Sequence, residues 1–380
     1  MNIMKTLHFK ITLLLYFSSI AIIAQTENLF SKNFETNDNT TVFITLSGEY
    51  VEIESSPDDK FYVDYNINFE NYPDRKKQNI RDYVKIKAEI NDNHITLESG
   101  SKSNRYRLDY IFGSLYKKDT LNKVSSSQKT KATILNEIKE LTIRKPFYIN
   151  YLEQKYRNDI KKRDELIEKY NRKKKRAFNK QIIIKVPVNL NLTIDAKYAT
   201  ILIKNDLKNK LSFRLDGGRF ISKVLNNKAN IIKAEDVVFA VESLNGGEIS
   251  LKNINKGLIG SISNTIFSAE FSSIQIGELK ENNVFDDFSN ETVIHNFSND
   301  FKSFDLNSEY SKIHFFRPKN DFTLKAIGYN TIVNLPNKDI KGTTKQENKK
   351  EEFFKLNTKD KGIFSGYINF DIIHGFIFIY

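Results

Sequence analysis

From about Leu192 to Asn337 one short phrase recurs with a period of about 18 residues, through about eight copies, and such a period constrains a fold more than any other feature of this chain. Successive copies begin LTIDAKYATILIKNDLKN, LSFRLDGGRFISKVLNN and NIIKAEDVVFAVESLNG, and the series runs on to FTLKAIGYNTIVNLPN. Each copy holds two bursts of alternating apolar residues, a corner rich in Gly, Asn, Asp or Tyr, and an Asn-rich exit. An apolar residue near each exit marks the register: Leu207, Leu225, Leu244, Ile262, Leu279, Phe297, Phe316 and Leu335. The local period is two, which is that of strands rather than helices. Strands repeating at this interval cannot bury their apolar side alone, so they must stack on their neighbours. The sequence therefore predicts a mainly β protein, a single-stacked β-solenoid (β-helix) of about eight rungs.

Upstream of the repeats lie further β segments. TVFITLSGEYVEIE, Thr41 to Glu54, gives two alternating runs around Ser47-Gly48, and Phe61, Val63, Tyr65, Ile67 and Phe69 share one face of the next run. Val84, Ile86, Ala88 and Ile90 form another alternating set, followed by Ile95-Thr96-Leu97 after the turn residues Asn91-Asp92-Asn93. These spacings are an all-β signal, compatible with antiparallel strands or with first, irregular rungs. The pattern then breaks: Ser99 to Ser127 is polar, Ile134, Ile138 and Leu141 fall at helical spacing, and Leu152, Tyr156, Ile160, Ile167 and Tyr170 form a second, longer stripe. This reads as an α-helical hairpin inserted between β segments. The longer helix, about Ile149 to Ala177, would span roughly 40 Å, close to the height of eight rungs at about 4.8 Å, so it is expected to lie along the stack on that stripe.

Five segments follow: a signal peptide at 1–24, an N-terminal β segment at 25–98, a polar loop and basic hairpin at 99–180, the repeats at 181–337, and a charged loop with a C-terminal cap strand at 338–380. The signal peptide rests on the basic start, Lys5 and Lys10, the apolar run Ile11 to Ile23, and Ala24 before Gln25. An uncleaved anchor is the other reading, but that run is shorter than the ~20 residues a span needs. The cap is read from GYINFDIIHGFIFIY, apolar on both strand faces, whereas a strand of an outer-membrane barrel has a polar lumen side.

Composition narrows the chemistry. With no cysteine the chain has no disulfide framework, thiolate metal site or cysteine nucleophile. The formal charge is +12, and the excess gathers between Lys139 and Lys185, densest at Arg172, Lys173, Lys174, Lys175 and Arg176. That run is the one candidate anion-binding patch; for an exported protein its counter-charge would be an anionic lipid or envelope polymer, and no nucleic acid is expected. The other reading is a solvated helix face with a basic last turn, which the helix dipole favours.

Motifs for catalysis are thin. Asp216-Gly217-Gly218 and Asn245-Gly246-Gly247 lack the flanking strand, helix and Lys-Ser/Thr of a phosphate loop and read as corners. Asp286, Asp287, Asp300 and Asp305 form the one carboxylate cluster that could serve a polysaccharide lyase or hydrolase, since glycoside cleavage needs two carboxylates a few ångströms apart. His295 and His314, at similar places in successive copies, are expected to stack as a ladder pair; the histidines show no metal-ligand spacing. No cofactor is expected.

The run IIIKVPVNLNLTIDAKYATILIKNDLKNKL, with Val186-Pro187 between two strands and a Tyr before the second, and the earlier SGEYVEIESSPDDKFYVDYNI, resemble the adhesin-like β-solenoid domain of exported Bacteroidetes-type proteins. The match spans Thr40 to Leu97 and Gln181 to Asn337; the basic helical insertion departs from it. The resemblance implies an adhesin-like fold and brings no catalytic residues. The expectation is an exported, non-catalytic protein of the periplasm, outer envelope or cell surface, presenting its β surface to a glycan, envelope protein or anionic lipid; the alternative is the solenoid lyase or hydrolase.

Overall fold

The computed structural model describes residues 26–70, 72–101, 127–143, 156, 159–172, 177–335, 341–342, 350–359 and 362–380. The proposed signal peptide and most of the polar loop lie outside these residues. The described chain is mainly β, and its strands belong to one hydrogen-bonded sheet. The N-terminal part contains β1 (Thr26–Glu35), β2 (Thr41–Ser47), β3 (Tyr50–Ser55), β4 (Lys60–Glu70), α1 (Asp74–Asp82), β5 (Val84–Asn91) and β6 (His94–Ser101). Two helices, α2 (Lys131–Thr142) and α3 (Ile160–Arg172), precede β7 (Ala177–Val186). The repeats supply β8 (Asn191–Leu207), β9 (Leu211–Leu225), β10 (Ile231–Asn245), β11 (Glu248–Lys252), β12 (Lys256–Glu270), β13 (Ser273–Phe288), β14 (Glu291–Ile294), β15 (Ser303–Glu309), β16 (Lys312–Phe315), β17 (Phe322–Tyr329) and β18 (Ile332–Asn334). Four strands end the chain: β19 (Lys341–Gly342), β20 (Glu351–Asn357), β21 (Gly366–Ile373) and β22 (Phe376–Ile379).

Consecutive repeats pair in parallel, with partners 17 to 21 residues apart: Leu192 beside Leu211, Ile232 beside Phe213, Ile249 beside Phe267, Phe285 beside Leu306. Apolar residues of successive levels therefore meet in the interior, some as register partners and some diagonally. Phe267, Phe285, Phe304 and Phe370 form an interior ladder with ring centroids 4.8, 4.9 and 5.6 Å apart, and all four are buried. The exit markers Leu207, Leu225, Leu244, Ile262 and Leu279 are buried one above another, and Leu279 bridges to Phe297. The column fails at Phe316. The offset there has grown to 21 residues, so Phe315 is buried instead and Phe316 turns to the other side, stacked on His295.

The two ends are built differently. β2 lies between β6 and β8, and β3 between β7 and β8, all parallel. The first repeat-like segment therefore sits one level inside the stack, under strands that come later in sequence. Antiparallel β5, β4 and β1 finish this end, which resolves the ambiguity of the N-terminal strands: some are parallel levels, others an antiparallel finish. The far end mirrors this. β21 pairs with both β15 and β17, and β22 with both β16 and β18. The final segment, expected as the cap, is buried but lies between the last two repeats; the outer edge is instead covered by antiparallel β20 and β19. An exposed edge strand templates association, and its apolar side chains on both faces suit this sandwiched place better than an outer one.

Of the two predicted helices, the shorter is the one seated along the stack. Ile134 and Ile138 of α2 are buried against Leu202, Ile221, Ala240 and Leu258, one residue from each of four successive levels. Thr130 caps the helix by accepting a hydrogen bond from the Thr133 amide. Gly260 and Gly277 make the close approach possible: a Cβ on Gly260 would fall 2.6 Å from Leu135 Cδ2 and 2.4 Å from the Glu242 carbonyl. The stripe expected on the longer helix lies partly outside the described residues, and of its described members Ile160 is 60% exposed. The short helix α1, which the apolar spacing does not announce, tucks Ile80 against Ile67 and Phe69.

Candidate binding surface

Each level turns one corner between its two strand faces, and every such corner uses a residue with positive φ. Read up the stack, these are Gly48, Tyr198, Gly217, Asp236, Asn253, Phe271, Ser289, Tyr310, His374 and Asn330, with φ between 50 and 74°. The ladder continues through the corner: Asn253 N–H donates to the Glu270 carbonyl (3.0 Å), Phe271 to Phe288 (3.0 Å), Ser289 to Glu309 (2.8 Å), Tyr310 to Ile373 (3.0 Å) and His374 to Tyr329 (3.2 Å). The left-handed conformation costs an ordinary L-residue about 1–2 kcal/mol, and Gly, Asn and Asp bear it best. Seven of these ten corners are Gly, Asn, Asp, Ser or a half-buried Tyr198. The other three, Phe271, Tyr310 and His374, are aromatic and lie in the far half.

Together with Phe288 and Tyr329, which precede their corners, these three form one continuous line of rings. Phe271 meets Phe288 edge to face at 5.4 Å, Phe288 meets Tyr310 at 6.0 Å, Tyr310 stacks on His374 at 5.0 Å, and His374 meets Tyr329 at 5.4 Å. Phe271, Phe288 and Tyr310 are 52%, 38% and 57% exposed. An apolar strip of this kind, at positions where the backbone favours small polar residues, is evidence of use rather than packing. On the sheet face beside it stand exposed Glu270, Asp286, Asn307 and Glu309, with Asn307 Nδ2 donating to Asp286 Oδ1 at 3.0 Å.

Beneath the rings the residue after four of the five corners is buried and polar, Ser272, Asn290, Ser311 and Thr331, and the fifth, after His374, is Gly375. Each polar side chain satisfies an amide of the adjoining level. Ser272 Oγ accepts from Ile254 N–H, Asn290 Oδ1 from Ser272 N–H (2.7 Å), and Ser311 Oγ from Asn290 N–H (3.1 Å). Asp287 braces this row, accepting from Asn290 Nδ2 at 2.9 Å and Thr292 Oγ1 at 3.0 Å. Burial pushes its carboxyl up to about 6 against the hydrogen bonds that oppose the shift.

This dissolves the carboxylate cluster. Strand alternation sends Asp286 outward and Asp287 inward, so the two face opposite sides of one strand. Asp305 accepts from Asn369 Nδ2, and Asp300 is exposed in a turn closed by the Ser298 hydroxyl. The four do not converge on one point. The expected histidine pair also fails to stack: His295 lies on Phe316 (5.9 Å) and His314 on Phe378 (4.3 Å), because the register sets Val293 beside His314. His295 is instead held by the start of α2, where the Lys129 amide donates to its Nδ1, and burial followed by the Lys129 charge takes its pKa down to about 4. Both glycine pairs have positive φ, as corners require. Among the described residues no group of three His, Asp or Glu is placed to hold a metal ion. Arg172 ends α3, and Lys173, Lys174, Lys175 and Arg176 lie outside the described residues. The ring line escaped the sequence reading because Phe271 and Tyr310 hold the corner position, Phe288 and Tyr329 the position before it, and His374 belongs to the C-terminal segment rather than to a repeat. The signal was the substitution of aromatics for Asn or Gly at one corner position.

No family model matches this chain, and no curated protein does. Three solved structures are similar over nearly the whole length: a candidate cell adhesion protein from Clostridium sporogenes (12% identity, 93% of this chain and 99% of that one, TM-score 0.19), a candidate adhesin from Bacteroides fragilis (8%, 94% and 97%, 0.27) and a candidate lipid binding protein from Parabacteroides distasonis (11%, 94% and 98%, 0.32). Likenesses this distant carry no argument about the function of this chain. Among the described residues no helix is long and apolar enough to cross a membrane, which says nothing of a β-barrel.

Proposed function

We propose that this chain is an exported, non-catalytic, adhesin-like protein of the cell envelope or surface, a β-solenoid built on about eight repeats whose aromatic corner is its binding face. The observation that carries the reading is the exposed ring line at corners where a cheaper residue serves the backbone elsewhere. The parallel, in-register pairing of the repeats supports the solenoid, and the basic, apolar start of the chain supports export.

The test exploits the corners themselves. Asn occupies the same position at Asn253 and Asn330, so Phe271→Asn with Tyr310→Asn keeps the turn and removes the rings. Fluorescently labelled protein should be retained on cell envelopes, and this double variant should lose that retention at least tenfold with an unchanged circular dichroism spectrum. Equal retention of both proteins removes the reading.

A further inference from the structure

Resting on that reading, we propose that the aromatic corner binds a neutral, linear polysaccharide, one sugar ring per level of the stack. Three observations point to this class. The first is spacing. Successive levels are about 4.8 Å apart, and successive rings of the line lie 5.0 to 6.0 Å apart. That is close to the rise per residue of an extended chain of pyranose rings, whose C–H faces pack on aromatic rings as other apolar surfaces do.

The second is charge. In a chain of net charge +12, the sheet face beside the rings is acidic: Glu270, Asp286, Asp305 and Glu309 lie along it over three levels. Its nearest cations are already engaged. Lys252 lies 3.7 Å from Glu270, and higher up Lys350 pairs with Asp371 and Lys325 with Glu352. Across the corner, Lys312 stands in register beside Glu291, so that side is balanced. An acidic polymer would meet repulsion along these three levels. A neutral sugar would instead offer hydroxyl donors to the carboxylates, each of which has about four acceptor sites. Asn307 occupies one of those on Asp286 and Asn369 one on Asp305, which leaves the others for a ligand.

The third is the mixture itself. Protein interfaces lose charged residues at their core and concentrate apolar ones. Here carboxylates and rings alternate within a single strip: Glu270 precedes Phe271, Asp286 lies two residues before Phe288, and Glu309 precedes Tyr310. A surface combining exposed rings with closely spaced acceptors suits a ligand that is itself apolar on its faces and rich in hydroxyls at its edges.

Affinity electrophoresis of the full chain is the experiment, with soluble β-glucan and galactomannan as neutral probes and polygalacturonate as the acidic one. At least one neutral polymer should retard the protein and polygalacturonate should not at moderate salt. Phe271→Asn with Tyr310→Asn should abolish retardation, and Glu309→Gln, which leaves the rings in place, should weaken it about three- to tenfold. Stronger binding of polygalacturonate overturns the proposal, as does retardation by a neutral glycan that ignores the ring substitutions. Should neither neutral probe bind while envelope retention still depends on the rings, the ligand class falls and the surface-binding reading survives. Loss of ring dependence in both assays ends both.

Discussion

The corner column behaves as two different surfaces on one backbone. From Gly48 to Asn253 the corner and the residue before it are mostly charged or small: Ser47, Lys197, Asp216, Glu235 and Lys252 precede Gly48, Tyr198, Gly217, Asp236 and Asn253. From Phe271 to Asn330 the same two positions carry Phe271, Phe288, Tyr310, His374 and Tyr329. The φ angles agree and the corner hydrogen bonds recur in both halves. Folding alone therefore does not require the aromatics, and the buried row beneath shows what the aromatic half adds. Ala199, Gly218, Val237 and Ile254 follow four of the polar corners and buried Glu49 the fifth, whereas Ser272, Asn290, Ser311 and Thr331 follow four of the far corners and Gly375 the fifth. The far half thus carries a nearly continuous hydrogen-bonded row under its corners, and a rigid platform loses less freedom when it meets a ligand.

The comparison breaks most severely if the aromatic half loses its inner level. Removing Gly366–Tyr380 takes away β21 and β22, which join β15 and β16 to β17 and β18. It deletes the buried side chains of Ile368, Phe370, Ile372, Ile377 and Ile379, each contributing about 1.5–3 kcal/mol. Their sum approaches or exceeds the ~5–15 kcal/mol by which a domain is stable. The truncated chain is expected to lose its cooperative thermal transition, or to retain only the part built on the polar half. Melting within a few degrees of the intact protein would mean that the last segment is an ornament on the stack and not a level of it.

A smaller effect separates the halves by pH. Asp287 braces the aromatic half alone, and its carboxyl titrates near 6 in the folded protein against an ordinary value of 3.8. The folded state thus holds this proton more tightly than the unfolded one, so stability is greatest below pH 4 for this group and declines as pH rises to about 6, then levels off. The full swing is about 3 kcal/mol. Asp287→Asn keeps an acceptor for Asn290 and removes the charge, so at pH 7 its melting temperature should exceed that of the parent, with the gap closing toward pH 4. Urea titrations at pH 4, 5, 6 and 7 measure this. A gap independent of pH would assign the effect to packing.

Much of this architecture is legible in the residues, and the failures have physical causes. Alternation and an 18-residue period reveal strands and their stacking because both are local properties. What periodicity cannot carry is the order of levels when the chain leaves the stack and returns. Nothing in GYINFDIIHGFIFIY says that it slides beneath Phe322–Asn334 rather than above it; that choice depends on which edge is left to be covered, a property of the whole fold. The same limit applies to the helices. Apolar stripes mark both, but Gly260 and Gly277, far from α2 in the sequence, prepare the groove that seats it. For the site, neighbours in sequence on a strand point apart, so Asp286 and Asp287 cannot act as one pair of carboxylates. The ring line was readable only by aligning one corner position across the copies and asking which residues do not suit it.

The finest test swaps the two kinds of corner. Asp236→Phe places an aromatic in the polar half, where it meets the full left-handed penalty of roughly 1–2 kcal/mol with Gly217 below, Asn253 above and no ring beside it. Phe271→Asn removes the same penalty from the aromatic half but gives up the edge-to-face contact with Phe288, worth about 0.5–1.5 kcal/mol. The two terms in the second variant nearly cancel, so its stability should stay within about 1 kcal/mol of the parent, while the first variant should fall by about 1–2 kcal/mol. Denaturant midpoints resolve differences of this size at constant m. If Phe271→Asn were as destabilising as a core truncation, at about 3 kcal/mol or more, the ring would belong to the packing of the corner. Its exposure would then be incidental, and the difference between the halves would be one of stability instead of recognition.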